Sequence, residues 1–267
     1  MRKAILAVSF GTTFPDTLEK NIAAIEADLA AAFPDRVLRR AFTSGMVIRR
    51  LRQRDGLEID NVAQALERLR REGFSDVIVQ ATHVMNGDEY DKLRAMAAPY
   101  EASFSRLAFG APLLSSTRDY RETAAALLER LPEQEPGQAV VLMGHGTLHH
   151  ANAVYAALEY VLRDAGRRDI AIGTVEGYPE FGEICRRLEE MGNVQRVVCL
   201  PLMVVAGDHA KNDLDGEGEN SWRSMLTARG YAVRCILEGL GENPAVRAIF
   251  VRHAREAADQ HKGANEP

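Results

Sequence analysis

Short apolar runs alternate with amphipathic stretches along most of this chain. Residues 4–9 form an apolar run that ends shortly before Gly11, and apolar residues then recur from Leu18 to Phe33 at spacings of three and four. That spacing predicts a helix with Asp16 as its N-cap. Strands that alternate with helices of this length are typical of an α/β protein, in which parallel sheets carry helices on their faces.

The alternation continues to the carboxyl terminus. Strands are predicted at residues 76–81, 106–109, 139–144, 171–176, 196–205 and 231–237. Helices are predicted near residues 61–72, 89–103, 117–131, 150–165, 179–191 and 217–229, and from Pro244 onward.

The two halves of the sequence resemble each other. Ser9-Phe10-Gly11-Thr12 follows the first strand of one half as Gly144-His145-Gly146-Thr147 follows the first strand of the other, and residues 76–89 resemble residues 196–209. Residues 131–138 between the halves are rich in proline, glycine and charge, as a linker would be. We therefore predict an internal duplication into two similar α/β domains, 1–130 and 131–267.

Composition narrows the class of function. A net charge of -5 argues against broad nucleic-acid binding, which usually needs a basic face. No apolar segment is long enough for a membrane helix, and the amino terminus lacks the cleavage site of a signal peptide. The three cysteines contain no CxxC pair, so neither a disulfide framework nor a structural zinc site is indicated. We expect a cytoplasmic protein without a membrane span.

Three strand ends in the second half carry groups that can bind metal. His145 follows the first strand between two glycines, Glu176 ends the next strand, and His209 follows the one after. Ligands bind at the carboxyl edge of open parallel sheets. Two imidazoles and one carboxylate suit a divalent first-row metal and leave coordination positions open for exchange. The alternative is that each is a loop residue with a local hydrogen bond.

Other candidate features are less specific. The chain has no GxxxxGK[ST] phosphate loop, no GxGxxG and no GxSxG, so neither nucleotide-driven chemistry nor a serine nucleophile is indicated. Four arginines within Arg49–Arg54 form either an exposed helix face or a site for a polyanion. His83 has a packed role or a ligand role. We expect His149 and His150 to have surface or capping roles, and His253 and His261 to lie at the surface.

Five segments together resemble a known family. They are VSFGTT near the amino terminus, THVMNGDEYDKL (82–93), MGHGT (143–147), VEGYP (175–179) and PLMVVAGDHAKND (201–213). The chain is similar, nearly end to end, to the anaerobic sirohydrochlorin cobaltochelatases of the CbiK type, which are class II chelatases related in fold to ferrochelatase.

The resemblance implies an enzyme that inserts Co²⁺, with Fe²⁺ as a second candidate metal, into sirohydrochlorin on the way to cobalamin or sirohaem, without ATP or another nucleotide. It implies that His145, Glu176 and His209 hold the incoming metal, with His145 also helping to remove pyrrole protons. The tetrapyrrole would lie in a cleft between the two domains, beside the substrate-binding residues Phe10, Gly11, Thr12, Glu89, Gly146 and Thr147.

The family also implies a small homo-oligomer. Some members are exported and bind haem, but we expect no haem here, since the chain shows no export signal. Two other functions use the same residues. One is a metal or tetrapyrrole carrier without turnover, and the other is a metal-dependent hydrolase, for which carboxylates to hold a second metal are not evident. Affinity order and cellular supply, and not the donor set, decide among Co²⁺, Fe²⁺ and Ni²⁺.

Overall fold

The computed structural model describes residues 2–259, which divide into two compact units. The first unit contains the residues up to Ser115 together with those from Pro244 onward, and the second unit is Ser116–Asn243. Each unit contains a four-stranded sheet in which neighbouring strands are parallel. The prediction of an α/β protein with two similar parallel sheets is confirmed.

The sheet of the first unit is built from early segments of the chain. Its strands are β1 Arg2–Ser9, β2 Val37–Phe42, β3 Phe74–Ala81 and β4 Arg106–Gly110. Their order across the sheet is β2-β1-β3-β4. The α-helices between the strands are α1 Pro15–Thr17, α2 Ala24–Ala32, α3 Gly45–Asp55, α4 Val62–Arg71 and α5 Asp88–Ala97.

The second unit repeats this arrangement. Its α-helices are α6 Thr117–Leu128, α7 Val154–Asp164, α8 Phe181–Met191 and α9 Trp222–Ala228. Its strands are β5 Gln138–Gly144, β6 Ile170–Thr174, β7 Arg196–Pro201 and β8 Ala232–Cys235. Their order, β6-β5-β7-β8, has the same form as that of the first sheet.

The register of the two sheets agrees with an internal duplication. Ser9 at the end of β1 pairs with Phe42 at the end of β2, and Gly144 at the end of β5 pairs with Thr174 at the end of β6. Both β1 and β5 lie between two neighbours and are buried over nearly their whole length, as expected of strands covered by helices on both faces. The two sheets therefore place equivalent loops at equivalent edges.

Several predicted helices are divided in the structure, and the one predicted near 150–165 begins as the 3₁₀ segment His150–Ala153 before α7. The helix predicted from Asp16 to Phe33 begins after Phe14 and passes through the π-helical segment Leu18–Ala23 before α2. The helix predicted near 89–103 becomes α5 followed by a 3₁₀ segment that contains Pro99. Proline lacks the backbone N–H that an α-helix interior requires, so α5 ends before it.

Strand β2 was not predicted from the sequence, and α3 was indicated only by the exposed helix face proposed as one alternative for Arg49–Arg54. The edge strand β2 is only partly buried and contains two arginines, one of which, Arg40, pairs with the Glu26 carboxylate at 2.5 Å. Helix α3 begins at a Ser44 cap and buries few apolar side chains, among them Val47 and Leu51. Without an apolar run or a full stripe, neither element has the pattern that identified the others. The strand predicted at 196–205 is also shorter than expected and ends at Pro201.

The helix that closes the described chain, α10 Pro244–Asp259, belongs to the first unit. It packs against α2, β3 and β4, and its Arg247 forms an ion pair with Asp28 at 2.7 Å. The first predicted domain ended at residue 130 and the second ran to the carboxyl terminus. The structure instead places α6 in the second unit and α10 in the first, because the apolar face of α10 completes the first core.

One histidine of α10 was expected at the surface and is not there. His253 is buried, and its Nδ1–H donates to the Ala111 carbonyl at 2.9 Å, so that expectation was wrong. His261 lies outside the described residues. Among residues 2–259, no helix combines the length and the apolar character that crossing a bilayer requires.

Candidate metal-binding site

Three neighbouring strands of the second sheet end beside one another. His145 follows β5 directly, Glu176 lies just after β6, and His209 follows β7 at the start of the π-helical segment Ala210–Leu214. Because β5 lies between β6 and β7, the three loops leave the same edge of the sheet. The predicted convergence of two imidazoles and one carboxylate is therefore present.

The donor atoms of His145, Glu176 and His209 are close enough to share one ion. One ligand atom from each side chain lies within 4.8 Å of the others. The two imidazole rings meet edge to face with centroids 4.6 Å apart, and Glu176 Oε2 lies 3.9 Å from His145 Nδ1. The side chains are 43%, 59% and 32% exposed, so solvent and a ligand can reach the cluster.

Hydrogen bonds leave the Nε2 atom of each imidazole available. His145 Nδ1 lies 2.9 Å from the Gly146 carbonyl oxygen, and His209 Nδ1 lies 2.6 Å from Asp213 Oδ2. A carbonyl or a carboxylate oxygen can only accept, so each Nδ1 carries the proton and each Nε2 keeps its lone pair. Histidine ligands of metals are commonly oriented in this way.

The Gly144-His145-Gly146 loop is held by contacts that require its glycines. A side chain at Gly144 would place Cβ only 2.3 Å from the Tyr155 ring, and Gly146 has a φ of +82° with Thr174 Cβ 2.6 Å from where its own Cβ would stand. The Gly146 N–H donates to the Tyr155 hydroxyl oxygen at 3.4 Å. Burial raises the pKa of Tyr155 to about 12, so this hydroxyl stays neutral.

Contacts between loops fix Glu176 relative to His145. The Glu176 N–H donates to the His145 carbonyl at 2.8 Å. Asn152 joins the same two loops, since its Oδ1 accepts from the Thr147 N–H at 3.0 Å and its Nδ2 donates to the Tyr178 carbonyl. The sequence analysis missed Asn152, Tyr155 and Asp213. Of these three residues, only Asp213 had a signal in the sequence, since residues four apart, such as His209 and Asp213, are neighbours on a helix.

The predicted substrate-binding residues divide between the units. Gly146 and Thr147 lie in the metal-site loop, where their N–H groups are already hydrogen bonded within the protein. Phe10, Gly11 and Thr12 follow β1 in the first unit. Phe10 is 43% exposed, whereas Thr12 is buried with its hydroxyl 2.9 Å from that of Thr17.

Glu89 lies in the first turn of α5 in the first unit. Its Oε1 is 3.5 Å from Lys92 Nζ, and its buried Oε2 has no hydrogen-bond partner among the described residues. His83, on the loop after β3, is buried with Nε2 3.5 Å from the Thr43 hydroxyl and with Nδ1 unpartnered in the described structure. Burial lowers the pKa of His83 to about 4, although the negative charge of Glu89 acts in the other direction and raises it.

The arginine-rich segment lies on α3, and its members differ. Arg54 donates to the Thr13 carbonyl and pairs with Asp55 at 2.6 Å, which lowers the pKa of the Asp55 carboxyl. Arg52 lies 3.6 Å from Glu58. Arg49 and Arg50 are exposed.

The adjacent histidines His149 and His150 were expected to have surface or capping roles. His149 has a capping role, since its Nδ1 accepts from the Ala151 N–H.

Solved structures share this fold. SirB from Bacillus subtilis with Fe³⁺ is 16% identical, with a TM-score of 0.67 over 98% of each chain. CbiX, described as the terminal enzyme for the biosynthesis of sirohaem in denitrifying bacteria, is 16% identical, with a TM-score of 0.54 over 96% of this chain and 99% of that one. The likeness to these two structures, SirB and CbiX, places this chain in the fold class of two-domain α/β chelatases.

Sequence comparison gives the particular family. The model of the family described as cobalt chelatase (CbiK) matches residues 3–259. Sirohydrochlorin cobaltochelatase of Salmonella typhimurium is 49% identical over 96% of this chain and 97% of its own length. Sirohydrochlorin cobaltochelatase CbiKC of Nitratidesulfovibrio vulgaris is 34% identical over 96% of this chain and 90% of its own. This chain belongs to the cobalt chelatase (CbiK) family, which confirms the resemblance seen in the sequence.

Proposed function

We propose that this protein inserts Co²⁺ into sirohydrochlorin without a nucleotide, and that His145, Glu176 and His209 deliver the metal. Membership of the CbiK family and the names of its relatives support the substrate pair. The observation that carries the assignment of residues is the convergence of three donors within 4.8 Å at one sheet edge.

The donor set suits a metal that must be released again. Two neutral imidazoles and one carboxylate can replace water molecules around Co²⁺ while leaving positions for pyrrole nitrogens. Thiolates would hold a soft or borderline metal more tightly, and the second unit has none in the cluster. The half-exposed position of all three side chains agrees with exchange of the metal.

Insertion also displaces two pyrrole protons, and His145 is placed to accept one. Its Nε2 is the basic atom, because Nδ1 donates to the Gly146 carbonyl. Once the metal has moved to the macrocycle, Nε2 is free to take a proton, and the neighbouring Glu176 carboxylate stabilises the imidazolium that forms. One residue thus serves first as ligand and then as base.

The experiment is an anaerobic absorbance assay with free-base sirohydrochlorin, Co²⁺ and catalytic amounts of protein. We expect many turnovers per chain, and a loss of about 100-fold or more in rate for His145→Ala and His209→Ala. The exposed His150→Ala is the matched control and should keep its rate. A spectral change that stops at one equivalent would identify a carrier, and unchanged rates in both variants would refute the assigned roles.

We propose two broader properties, the first from the family and the second from the cysteines. We expect a small homo-oligomer, which light scattering coupled to size-exclusion chromatography would measure. We also place the protein in the cytoplasm, since its three free cysteines agree with a reducing compartment.

A further inference from the structure

Two cysteines of the second unit face each other across neighbouring strands. Cys199 on β7 and Cys235 on β8 are register partners in the parallel pairing of these strands. Both belong to the same side of the sheet, since Cys235 packs against the apolar cluster that contains Cys199. Both are free thiols.

The spacing of this pair fits a disulfide. Neighbouring strands lie about 4.8 Å apart, which falls within the Cα separations of roughly 4.4–6.8 Å that disulfides span. Strand β8 is the edge strand, and Cys235 is its last residue. A small shift of that strand end toward β7 is therefore open to the chain, because no further strand holds it from the other side.

The two sulfurs differ in environment. A hydrogen bond to Cys235 and burial raise the pKa of the Cys199 thiol well above its usual value, so Cys199 stays protonated. Cys235 is partly exposed, and its Sγ lies 4.0 Å from the Leu214 carbonyl oxygen, to which its S–H donates. A soluble oxidant therefore meets Cys235 first, with the Cys199 thiol beside it.

We propose that Cys199 and Cys235 form an oxidisable dithiol, which a hydroperoxide converts reversibly to a disulfide between β7 and β8. The Cys235 sulfur attacks the O–O bond of hydrogen peroxide, giving a sulfenic acid and one water. The Cys199 sulfur then attacks the sulfenic sulfur, and its proton leaves with the hydroxyl group as a second water. Two thiols are oxidised and one peroxide is reduced, so the step balances.

Leu214 connects the dithiol with the proposed metal ligands, because it accepts a hydrogen bond from Cys235 and lies five residues after His209. Leu214 ends the π-helical segment Ala210–Leu214, which begins directly after His209 and contains Asp213. Disulfide formation removes the S–H that donates to the Leu214 carbonyl. We therefore expect the oxidised chain to bind Co²⁺ several-fold more weakly than the reduced chain.

Peptide mapping tests the dithiol without any assay of metal insertion. The purified chain is treated with hydrogen peroxide, desalted, alkylated under denaturing conditions and digested without reductant. We expect a peptide pair linked through Cys199 and Cys235, its loss on treatment with dithiothreitol, and an alkylated Cys185. The same linkage should form in Cys185→Ser, whereas Cys235→Ser should leave Cys199 as a free thiol.

Several results would overturn the proposal. Sulfinic or sulfonic acid at Cys235 with Cys199 still free, or a disulfide that includes Cys185, would show that the pair does not close. Titration of the desalted protein with Co²⁺ tests the link to the metal cluster. Equal affinities for the oxidised and reduced chains would refute that link. Peroxide should leave the affinity of Cys235→Ser unchanged, since serine keeps a donor for Leu214 but cannot form the disulfide.

Discussion

The surroundings of His83 keep its imidazole uncharged. Its ring is buried, the Thr43 hydroxyl lies 3.5 Å from Nε2, and burial lowers its pKa to about 4 even though Glu89 favours the charged form. The positive charge of Lys92 also lowers the pKa of His83. The structure thus supports the packed alternative for this histidine and makes it a source of pH-dependent stability.

We expect His83 to destabilise the fold as the pH falls from about 6.5 toward 4. Between these values the unfolded chain binds a proton that the folded chain excludes, so the free energy of unfolding decreases with decreasing pH. For the step from pH 7.5 to 5.0 the loss due to His83 is about 2 kcal/mol.

Urea unfolding of the wild type and of His83→Gln at both pH values measures this loss. Glutamine keeps polar atoms at the site but does not titrate, so the variant should lose about 2 kcal/mol less than the wild type over the same step. Equal pH dependence in the two proteins would show that folding does not lower the pKa of His83.

The π-helical segment Ala210–Leu214 begins directly after His209, one of the three proposed metal ligands, and contains Asp213. In a π-turn the backbone hydrogen bond spans five residues, and Asp215 N–H donates to the Ala210 carbonyl at 3.2 Å. Asp213 lies four residues after His209, and its Oδ2 is 2.6 Å from His209 Nδ1. Asp213 is therefore a positioning residue, which fixes the tautomer and direction of the imidazole.

We predict that Asp213→Asn lowers the affinity for Co²⁺ by about 10- to 100-fold. The amide can no longer hold the Nδ1 proton by charge, so His209 loses its fixed orientation. Calorimetric titration with Co²⁺ measures the affinity, and the visible absorption of bound Co²⁺ reports the geometry of its ligands. Asp208→Asn is the control, since it removes the same charge from an exposed neighbour that contacts Asn212. Equal losses in both variants would indicate a general effect of charge.

Elements differ in how far the sequence predicts them. The buried strands β1, β3, β5 and β7 were predicted because a strand covered on both faces reads as an apolar run. Strand β2 was missed because its apolar run is interrupted by arginines, which pair with Glu26 and Glu72. The bounds of α3 were not predicted, because most of its residues face solvent, although an exposed helix face was one alternative for Arg49–Arg54.

The residues of the candidate site also differ in how far the sequence predicts them. His145, Glu176 and His209 were predicted because strand order alone brings the ends of neighbouring parallel strands together. Asp213 was indicated only by its spacing of four residues from His209. Asn152 and Tyr155 were not predicted, because their contacts are a side-chain bridge and a close approach to Gly144. Local chain geometry of this kind leaves no periodic pattern in a sequence.

At the scale of the whole molecule, the chain does not divide into two continuous halves. Repetition in the sequence predicted a boundary at residue 130, but repetition locates equivalent strands and not the helices that cover them. The first sheet needs α10 from the far end of the chain, and the buried residues Val246, Ile249 and Phe250 supply the apolar face that packs against it.

We therefore predict that Phe250→Ala destabilises the first unit. Truncation of a buried phenylalanine costs roughly 3–5 kcal/mol. Hydrogen exchange measured by mass spectrometry should show faster exchange in β3 and β4, with little change in β5 and β7, because α10 packs on the first sheet. The exposed Arg255→Ala should leave both sheets protected. Earlier loss of protection in β5 and β7 would show that α10 stabilises the second unit, as the predicted boundary at residue 130 requires.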